Sequence, residues 1–124
     1  MTAIRLFAFY GSLRRGMANY RLYAPHLHYL TTLQLPGYRL FALSDYPYAI
    51  RTTTADTIVA ELFHIESQTV REEIYHMEID AGYVFETITV GDRQAGIYLF
   101  PHQGNGYFVP SGDWVAFVGK KMDF

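Results

Sequence analysis

A short polar turn and a single glutamate are the residues of this sequence best suited to chemistry on a small anionic molecule. The turn is the motif Tyr-Gly-Ser-Leu at residues 10–13, where an apolar run stops at a glycine and a hydroxyl. Gly11 is free to take positive φ angles, and consecutive N–H groups in such a turn can converge on an anion. The two arginines that follow, Arg14 and Arg15, could add charge-assisted hydrogen bonds to a carboxylate. An ordinary strand-to-loop turn would explain the same residues, so the motif alone leaves both interpretations open.

The glutamate is Glu78, close to the end of residues 67–81, whose periodicity predicts a helix. At about 100° per residue it lies about 40° from Ile74, at the edge of the helix's apolar stripe. That stripe consists of Val70, Ile74, Met77 and Ala81. Partial burial and the negative end of the helix dipole would both raise the pKa of this carboxyl group, which suits general acid–base catalysis. A boundary glutamate that pairs with an arginine, or that reaches solvent, would fit the same position.

Other catalytic and metal sites have less support in the sequence. The absence of cysteine excludes a thiol nucleophile, a disulfide framework and a cysteine-ligated zinc site. His26 and His28 have the spacing of two ligands on a strand, but no carboxylate lies close enough in sequence to complete a metal site. Ser12 lacks the Gly-x-Ser-x-Gly context of a hydrolase nucleophile. We therefore expect no metal.

The composition predicts one soluble domain over residues 1–124. Half of the residues are apolar and 17% are aromatic, which is enough for a core without disulfides or metal. A formal net charge of −2 argues against a dedicated nucleic-acid-binding protein, which would carry a basic face. No apolar stretch approaches the roughly 20 residues that span a bilayer, and the first residues lack the pattern of a signal peptide. We therefore expect a cytoplasmic protein that binds neither nucleic acid nor membrane.

Short strands outnumber helices in the predicted secondary structure, which indicates an α+β barrel or curled sheet. Residues 67–81 form the one long helix, with Ser67 as its N-cap. A short irregular helix broken by Pro25 is expected before it, and a final short helix with Ser111 as N-cap after it. Residues 44–47 are predicted to be a loop, and residues 30–35 and 38–42 to be a strand pair or one kinked strand. The remaining strands are predicted at residues 4–10, 57–65, 83–90, 95–100 and 107–109, with a hairpin turn at Gly91-Asp92.

Several short motifs, in the same order along nearly the whole chain, resemble those of one protein family. They are FYGSLR at residues 9–14, SDYPYAI at 44–50, VAELF at 59–63, IYHMEIDAGYVFETITV at 74–90, Tyr98, and PSGDW at 110–114. The sequence is similar to the γ-glutamylcyclotransferase-like proteins, in particular to their short bacterial-type members, which include γ-glutamylamine cyclotransferases. Two departures from the family pattern are notable: Ile74-Tyr75 replaces the usual Leu-Asp, and Glu86 lies in the stretch where an arginine is common. Glu86 is expected to add negative charge near the site.

The resemblance implies a fold, a reaction and a set of site residues. The fold would be a single-domain, mixed, β-barrel-like curled sheet of about six or seven strands with flanking helices, and a pocket would lie between the loop and the helix end. The reaction would be attack of the α-amine of a γ-glutamyl group on its own γ-carbonyl, which releases 5-oxoproline and an amine or amino acid. The substrate would be a small γ-glutamyl compound, and no cofactor would be required. The catalytic acid and base would be Glu78, and the substrate-binding residues would be Tyr10, Gly11, Ser12, Leu13 and Tyr83.

The roles of these groups follow from the chemistry of that reaction. The α-amine arrives protonated, so a base has to remove a proton, and Glu78 can return it to the leaving amine. N–H groups of the loop would hold the substrate's α-carboxylate and the oxyanion. The leaving group could be an amino acid, an ε-lysyl amine or a small alkylamine. Two alternatives stay open: the same fold as a small-molecule binding or interaction module without turnover, and a structural β-rich domain without a ligand.

Overall fold

The structure, a computed structural model, describes residues 3–121, which form eight strands, three α-helices and one 3₁₀ turn. Within this part of the chain, no helix is long and apolar enough to cross a lipid bilayer. In chain order the elements are β1 (Leu6–Phe9), α1 (Ala18–Tyr23), the 3₁₀ turn (Ala24–His26), β2 (His28–Pro36), β3 (Tyr38–Ala42), β4 (Pro47–Arg51), β5 (Thr57–His64), α2 (Gln68–Asp80), β6 (Val84–Val90), β7 (Arg93–Leu99), β8 (Tyr107–Phe108) and α3 (Trp114–Lys121).

The larger sheet has five strands in the order β2-β5-β1-β7-β6, with β1 at its centre. β1 runs antiparallel to β5 and parallel to β7, and all four of its residues are buried. Burial on both faces of a central strand explains why its sequence is entirely apolar. Its alternate side chains enter different clusters, since Phe7 and Phe9 pack in the cluster that contains Ile74 of α2. Ala8 belongs to the cluster that contains Trp114 of α3.

The smaller sheet has three strands in the order β4-β3-β8. A backbone hydrogen bond from Phe100 N to Ala49 O (3.0 Å) links it to the end of β7. Because β2 and β6 are the outer strands of the larger sheet, the sheet is curled without closing into a barrel. The predicted α+β class and curled sheet are confirmed, with eight strands in two sheets instead of six or seven.

The prediction of a loop over residues 44–47 is wrong at its last residue, because β4 begins at Pro47. Proline lacks the N–H that a central strand needs. However, β4 is an edge strand and Pro47 is its first residue, where that donor is dispensable. The loop before it is closed by a hydrogen bond from Leu43 N to Tyr46 O (2.9 Å).

Residues 30–35 and 38–42 form neither a strand pair nor one kinked strand. β2 pairs with β5 in the larger sheet, whereas β3 pairs with β4 in the smaller one. Gly37 lies between them with a φ of 89°, and its N–H donates to Asp56 O (2.9 Å). This left-handed backbone, which glycine adopts without steric cost, turns the chain from one sheet into the other.

The two predicted helix caps have different outcomes. Ser67 caps α2 as predicted, since its Oγ accepts a hydrogen bond from Val70 N (3.2 Å). Ser111 does not cap α3: Ala116 N donates to Asp113 Oδ1 (3.2 Å), and Ser111 Oγ accepts from Asp113 N instead. Aspartate caps helices as well as serine does, and α3 therefore begins two residues later than predicted.

Candidate active site

The six residues assigned to the site from the sequence lie around one cavity with about 330 Å³ of empty space. The cavity lies where β1 ends, between the loop at residues 10–13 and the C-terminal part of α2. The lining consists of Ala8, Phe9, Tyr10, Gly11, Ser12, Leu13, Pro47, Glu78, Tyr83 and Tyr98.

The loop at residues 10–13 is folded by hydrogen bonds to its carbonyl groups. Gly11 O accepts from Arg14 N (3.0 Å), and Ser12 O accepts from Asn19 N (3.1 Å) in the first turn of α1. Ser12 Oγ also accepts a hydrogen bond from Asn19 Nδ2 (2.8 Å). The N–H groups of Gly11, Ser12 and Leu13 donate to no acceptor within residues 3–121. Successive unpaired N–H groups beside a cavity can bind an anion.

Gly11 is needed for close packing rather than for unusual backbone angles. Its φ is not positive, in contrast to the freedom that the sequence motif suggested. A Cβ atom at this position would lie 2.8 Å from Pro47 Cγ and 3.1 Å from Pro47 Cδ. Any larger residue would therefore push Pro47, which also lines the cavity, away from the loop.

The two arginines after the loop hold it in place and do not line the cavity. Arg14 is buried, with its Nε 2.7 Å from Glu61 Oε2 and its Nη1 2.8 Å from Asp113 Oδ1. Arg15 donates to Glu61 Oε1 through both its backbone N (3.0 Å) and its Nε (2.8 Å). These ion pairs connect the loop to β5 and to the N-cap of α3, so the arginines position the loop instead of binding a ligand.

Glu61 is the residue of this network that the sequence reasoning missed. It is 2% exposed in the middle of β5, and a buried carboxylate needs partners. Burial would raise the pKa of Glu61, but hydrogen bonds from Arg14 and Arg15 outweigh that effect and lower the pKa. A lone acid inside the apolar strand VAELF, with two consecutive arginines elsewhere, was the signal that could have identified it.

Glu78 and Tyr83 are joined through the backbone where α2 ends. Gly82 has a φ of 100° and donates its N–H to Ile79 O (3.0 Å), while Tyr83 N donates to Glu78 O (3.0 Å). This pair of bonds is a Schellman motif, which satisfies carbonyl groups at a helix C-terminus and reverses the chain. The motif brings Tyr83 back to the cavity that Glu78 lines.

The carboxyl group of Glu78 is partly buried and receives no hydrogen bond or ion pair from the part of the chain that the structure describes. Burial raises its pKa from an ordinary value of 4.5 to about 7. The alternative of a boundary glutamate paired with an arginine is therefore wrong. A carboxyl group that titrates near neutral pH and faces a cavity can both accept and donate a proton.

The hydroxyl groups of Tyr10 and Tyr83 are bonded to the protein backbone. Tyr10 Oη donates to Tyr98 O (2.6 Å) and accepts from Ala49 N (3.1 Å). Tyr83 Oη donates to Pro47 O. Burial raises the pKa of both tyrosines, so both are neutral at physiological pH. Their rings line the cavity, whereas their hydroxyl groups hold β4 and β7 around it.

Tyr98 also lines the cavity. It matches the family pattern, but it was not among the site residues predicted from the sequence. Its hydroxyl group makes no hydrogen bond to any residue from 3 to 121. Burial raises the pKa of Tyr98, and the negative charge of Glu78 raises it further. Of the three tyrosines that line the cavity, Tyr98 is thus the one whose O–H is free to donate to a ligand.

Glu86 does not add charge to the cavity, contrary to the expectation from its position in the family pattern. Its carboxylate accepts a hydrogen bond from Arg51 Nε (2.9 Å) on β4. Side chains alternate along β6, so Phe85 packs against Tyr98 while Glu86 points to the other face.

A second cavity, with about 780 Å³ of empty space, lies next to the first. The two share Ser12, Glu78 and Tyr83, so Glu78 borders both. We call them the inner and the outer cavity. The rest of the outer lining consists of Ala18, Asn19, Asp45, Tyr46, Met77 and Ala81.

Solved structures of other proteins share this fold. An uncharacterised protein, PH0828 from Pyrococcus horikoshii, has a TM-score of 0.80 at 22% identity over 97% of each chain. An AIG2-like protein (GGACT) from Mus musculus has a TM-score of 0.72 at 14% identity, over 91% of this chain and 89% of that one. An allophanate hydrolase from Kluyveromyces lactis has a TM-score of 0.78 at 12% identity, over 96% of this chain but 22% of that one. At these identities the likeness concerns the fold alone.

The family is shown by the sequence itself. No curated protein has a significantly similar sequence. However, residues 7–116 match the family model described as "Gamma-glutamyl cyclotransferase, AIG2-like". This match spans the loop, β5, α2 and the Schellman turn that together build the cavity. The chain therefore belongs to the AIG2-like γ-glutamyl cyclotransferase family.

Proposed function

We propose that this protein is a γ-glutamyl cyclotransferase that converts a γ-glutamyl amine or peptide into 5-oxoproline and a free amine or amino acid. The observation that carries the proposal is the Glu78 carboxyl group, which has a pKa of about 7 and lines the same cavity as the unpaired N–H groups of the loop. The Glu78 carboxyl can transfer protons near neutral pH, and the N–H groups of the loop can bind anions. The reaction needs both proton transfer and anion binding.

Glu78 acts as general base and then as general acid in this mechanism. It removes a proton from the substrate's α-ammonium, whose nitrogen then attacks the γ-carbonyl carbon and forms the new C–N bond. The resulting tetrahedral intermediate collapses when the original amide C–N bond breaks. The protons that the attacking nitrogen loses pass through Glu78 to the leaving nitrogen, so the amine departs protonated and the ring keeps one N–H.

The loop binds the negative charges of the substrate and of the intermediate. The N–H groups of Gly11, Ser12 and Leu13 are the donors available for the α-carboxylate and for the oxyanion on the γ-carbon. Tyr98 Oη supplies a further donor beside Glu78. Because attack is intramolecular, a cavity that holds the substrate folded back on itself supplies a large part of the rate advantage.

The test is formation of 5-oxoproline from a panel of γ-glutamyl amines and γ-glutamyl dipeptides. We expect turnover with at least one of them, and a loss of about 10²- to 10⁴-fold in kcat for Glu78→Gln. Glu73→Gln is the matched control, because Glu73 is exposed on the same helix.

Two results would contradict the proposal. Turnover that survives Glu78→Gln would remove Glu78 from the mechanism. Saturable binding of 5-oxoproline or of a γ-glutamyl compound, with no turnover of any member of the panel, would show a binding module with the same fold instead of an enzyme.

A further inference from the structure

The outer cavity is where the leaving part of the substrate has to lie, an inference that rests on the proposed function. The reacting γ-glutamyl group is held in the inner cavity by the loop. The bond that breaks lies next to Glu78, because Glu78 protonates the leaving nitrogen. Since Glu78 borders both cavities, the group attached to that nitrogen extends from the inner into the outer cavity.

The described residues that line the outer cavity include acidic side chains but no basic ones. Its two ionisable carboxyl groups are Glu78 and Asp45, and none of its described lining residues is a lysine, arginine or histidine. Asp45 is exposed and forms no ion pair within residues 3–121. It lies on the loop between β3 and β4, which the hydrogen bond from Leu43 N to Tyr46 O closes.

This charge distribution distinguishes leaving groups by the charge at the end remote from the scissile bond. A leaving amino acid carries a carboxylate, which would face Asp45 with no cation beside it, and like charges repel. A neutral alkylamine would contact only the apolar part of the lining. A leaving group with a second ammonium could pair with Asp45 and lie over the ring of Tyr46, since aromatic faces attract cations.

We propose that the outer cavity selects γ-glutamyl amines whose leaving amine bears a second positive charge, as in the mono-γ-glutamyl derivative of an alkyl diamine. Asp45 is the residue that determines this specificity. It acts on the distal charge of the leaving group and takes no part in proton transfer.

Three substrates that differ only in the distal group of a four-carbon chain provide the test. They are the γ-glutamyl amides of 1,4-diaminobutane, of butylamine and of 4-aminobutanoate. We expect kcat/KM for the cationic amide to exceed that of the neutral one by about three- to fivefold, the range of an exposed charge pair. The anionic amide should be at least about tenfold poorer than the cationic one, and added salt should reduce both ratios.

Substitution of Asp45 tests whether that residue causes the preference for the cationic amide. Asp45→Asn should bring the ratio of cationic to neutral kcat/KM close to one. Asp92→Asn, an exposed acid in the β6–β7 turn, should leave the ratio at its wild-type value. Equal kcat/KM for the three wild-type reactions, preference for the anionic amide, or a preference that Asp45→Asn retains would overturn the proposal.

The same three compounds separate failure of this proposal from failure of the proposed function. If none of them, nor any other γ-glutamyl compound, yields 5-oxoproline, the proposed function is wrong. Calorimetric binding of the three amides to Glu78→Gln then still measures the selectivity of the outer cavity. Tighter binding of the cationic amide would support that selectivity, and equal affinities would exclude it.

Discussion

The backbone N–H of Tyr83 donates a 3.0 Å hydrogen bond to the backbone carbonyl of Glu78. The bond exists because Gly82, between the end of α2 and Tyr83, adopts a φ of 100°. It fixes the last turn of the helix, which carries the proposed acid and base, relative to a ring that lines both cavities. The geometry of the proposed site therefore depends on a glycine that does not line it.

Gly82→Ala should destabilise the protein and impair catalysis. A Cβ at Gly82 would come no closer than 3.8 Å to Phe100, so there is room for it, and the cost is that of a left-handed backbone in an L-residue. We expect the free energy of unfolding to fall by about 1–2 kcal/mol, with a loss of kcat. Gly104→Ala is the matched control, because nothing lies within 4 Å of its Cβ position and its φ is not positive. Denaturant unfolding of both variants measures the difference, and equal stabilities would contradict the proposed role of the turn.

Arg14→Met should destabilise the protein far more than Arg5→Met. The buried Arg14 pairs with the buried Glu61 and the partly buried Asp113, whereas Arg5 pairs with Glu66 on the surface. Removing one partner of a buried pair costs about 3–5 kcal/mol, and we expect the lower end because Arg15 still bonds to Glu61. The exposed pair should contribute no more than about 1 kcal/mol. Similar midpoints of urea unfolding for the two variants would contradict a positioning role for Arg14.

Tyr98→Phe and Tyr83→Phe should separate catalysis from stability. Tyr98 Oη has no hydrogen-bond partner in the described chain, so its removal should leave stability within about 0.5 kcal/mol of wild type. As a donor to the oxyanion, it should contribute about 10² in kcat. Tyr83→Phe leaves Pro47 O unpaired and should cost about 1–3 kcal/mol. Paired measurements of unfolding and of 5-oxoproline formation test this, and full activity of Tyr98→Phe would exclude its role as a donor.

The pKa of Glu78 makes a prediction about stability and pH. Because the pKa is raised from 4.5 to about 7, the folded protein favours the protonated group. The contribution of Glu78 to stability is therefore greatest below pH 4.5 and is lost as pH rises to about 7. Above pH 7 the ionised group should cost up to about 3 kcal/mol, at 1.36 kcal/mol for each pH unit between the two values.

Unfolding of Glu78→Gln at several pH values measures that cost. The variant and the wild type should have similar stabilities at pH 4, and the variant should be more stable at pH 8. Glu73→Gln should differ from wild type by no more than about 0.5 kcal/mol throughout. A stability difference between Glu78→Gln and wild type that does not change with pH would show that the Glu78 carboxyl is not perturbed in the folded state.

The parts of the site that were predictable from the sequence are those whose signals are local. α2 was predictable from its N-cap at Ser67 and from the apolar positions Val70 and Ile74, which are both buried as expected. The same periodicity predicts that Glu78 leans towards the interior. The motif at residues 10–13 predicts a turn at the end of a strand, which is present. The resemblance to a family then placed the loop and Glu78 in one pocket, which periodicity alone could not do.

The parts that were missed depend on contacts between distant residues. Pro47 reads as a loop residue until its place at an edge of the sheet is known. The roles of Arg14 and Glu61 follow from a contact across 47 positions of the chain, and no local pattern predicts such a pair. Glu86 was expected near the site because of its position in sequence, but the alternation of side chains along β6 turns it towards Arg51.

The pH dependence of kcat/KM for 5-oxoproline formation tests most directly whether Glu78 is the general base. In the free enzyme Glu78 must be ionised to accept the proton, and its neighbours Tyr10, Tyr83 and Tyr98 stay neutral because burial raises their pKa values. We expect kcat/KM to rise about tenfold per pH unit up to a pKa of about 7 and then to level off, and Glu78→Gln to abolish this titration. A profile that is flat between pH 5 and pH 8, or one that keeps the same inflection in Glu78→Gln, would contradict it.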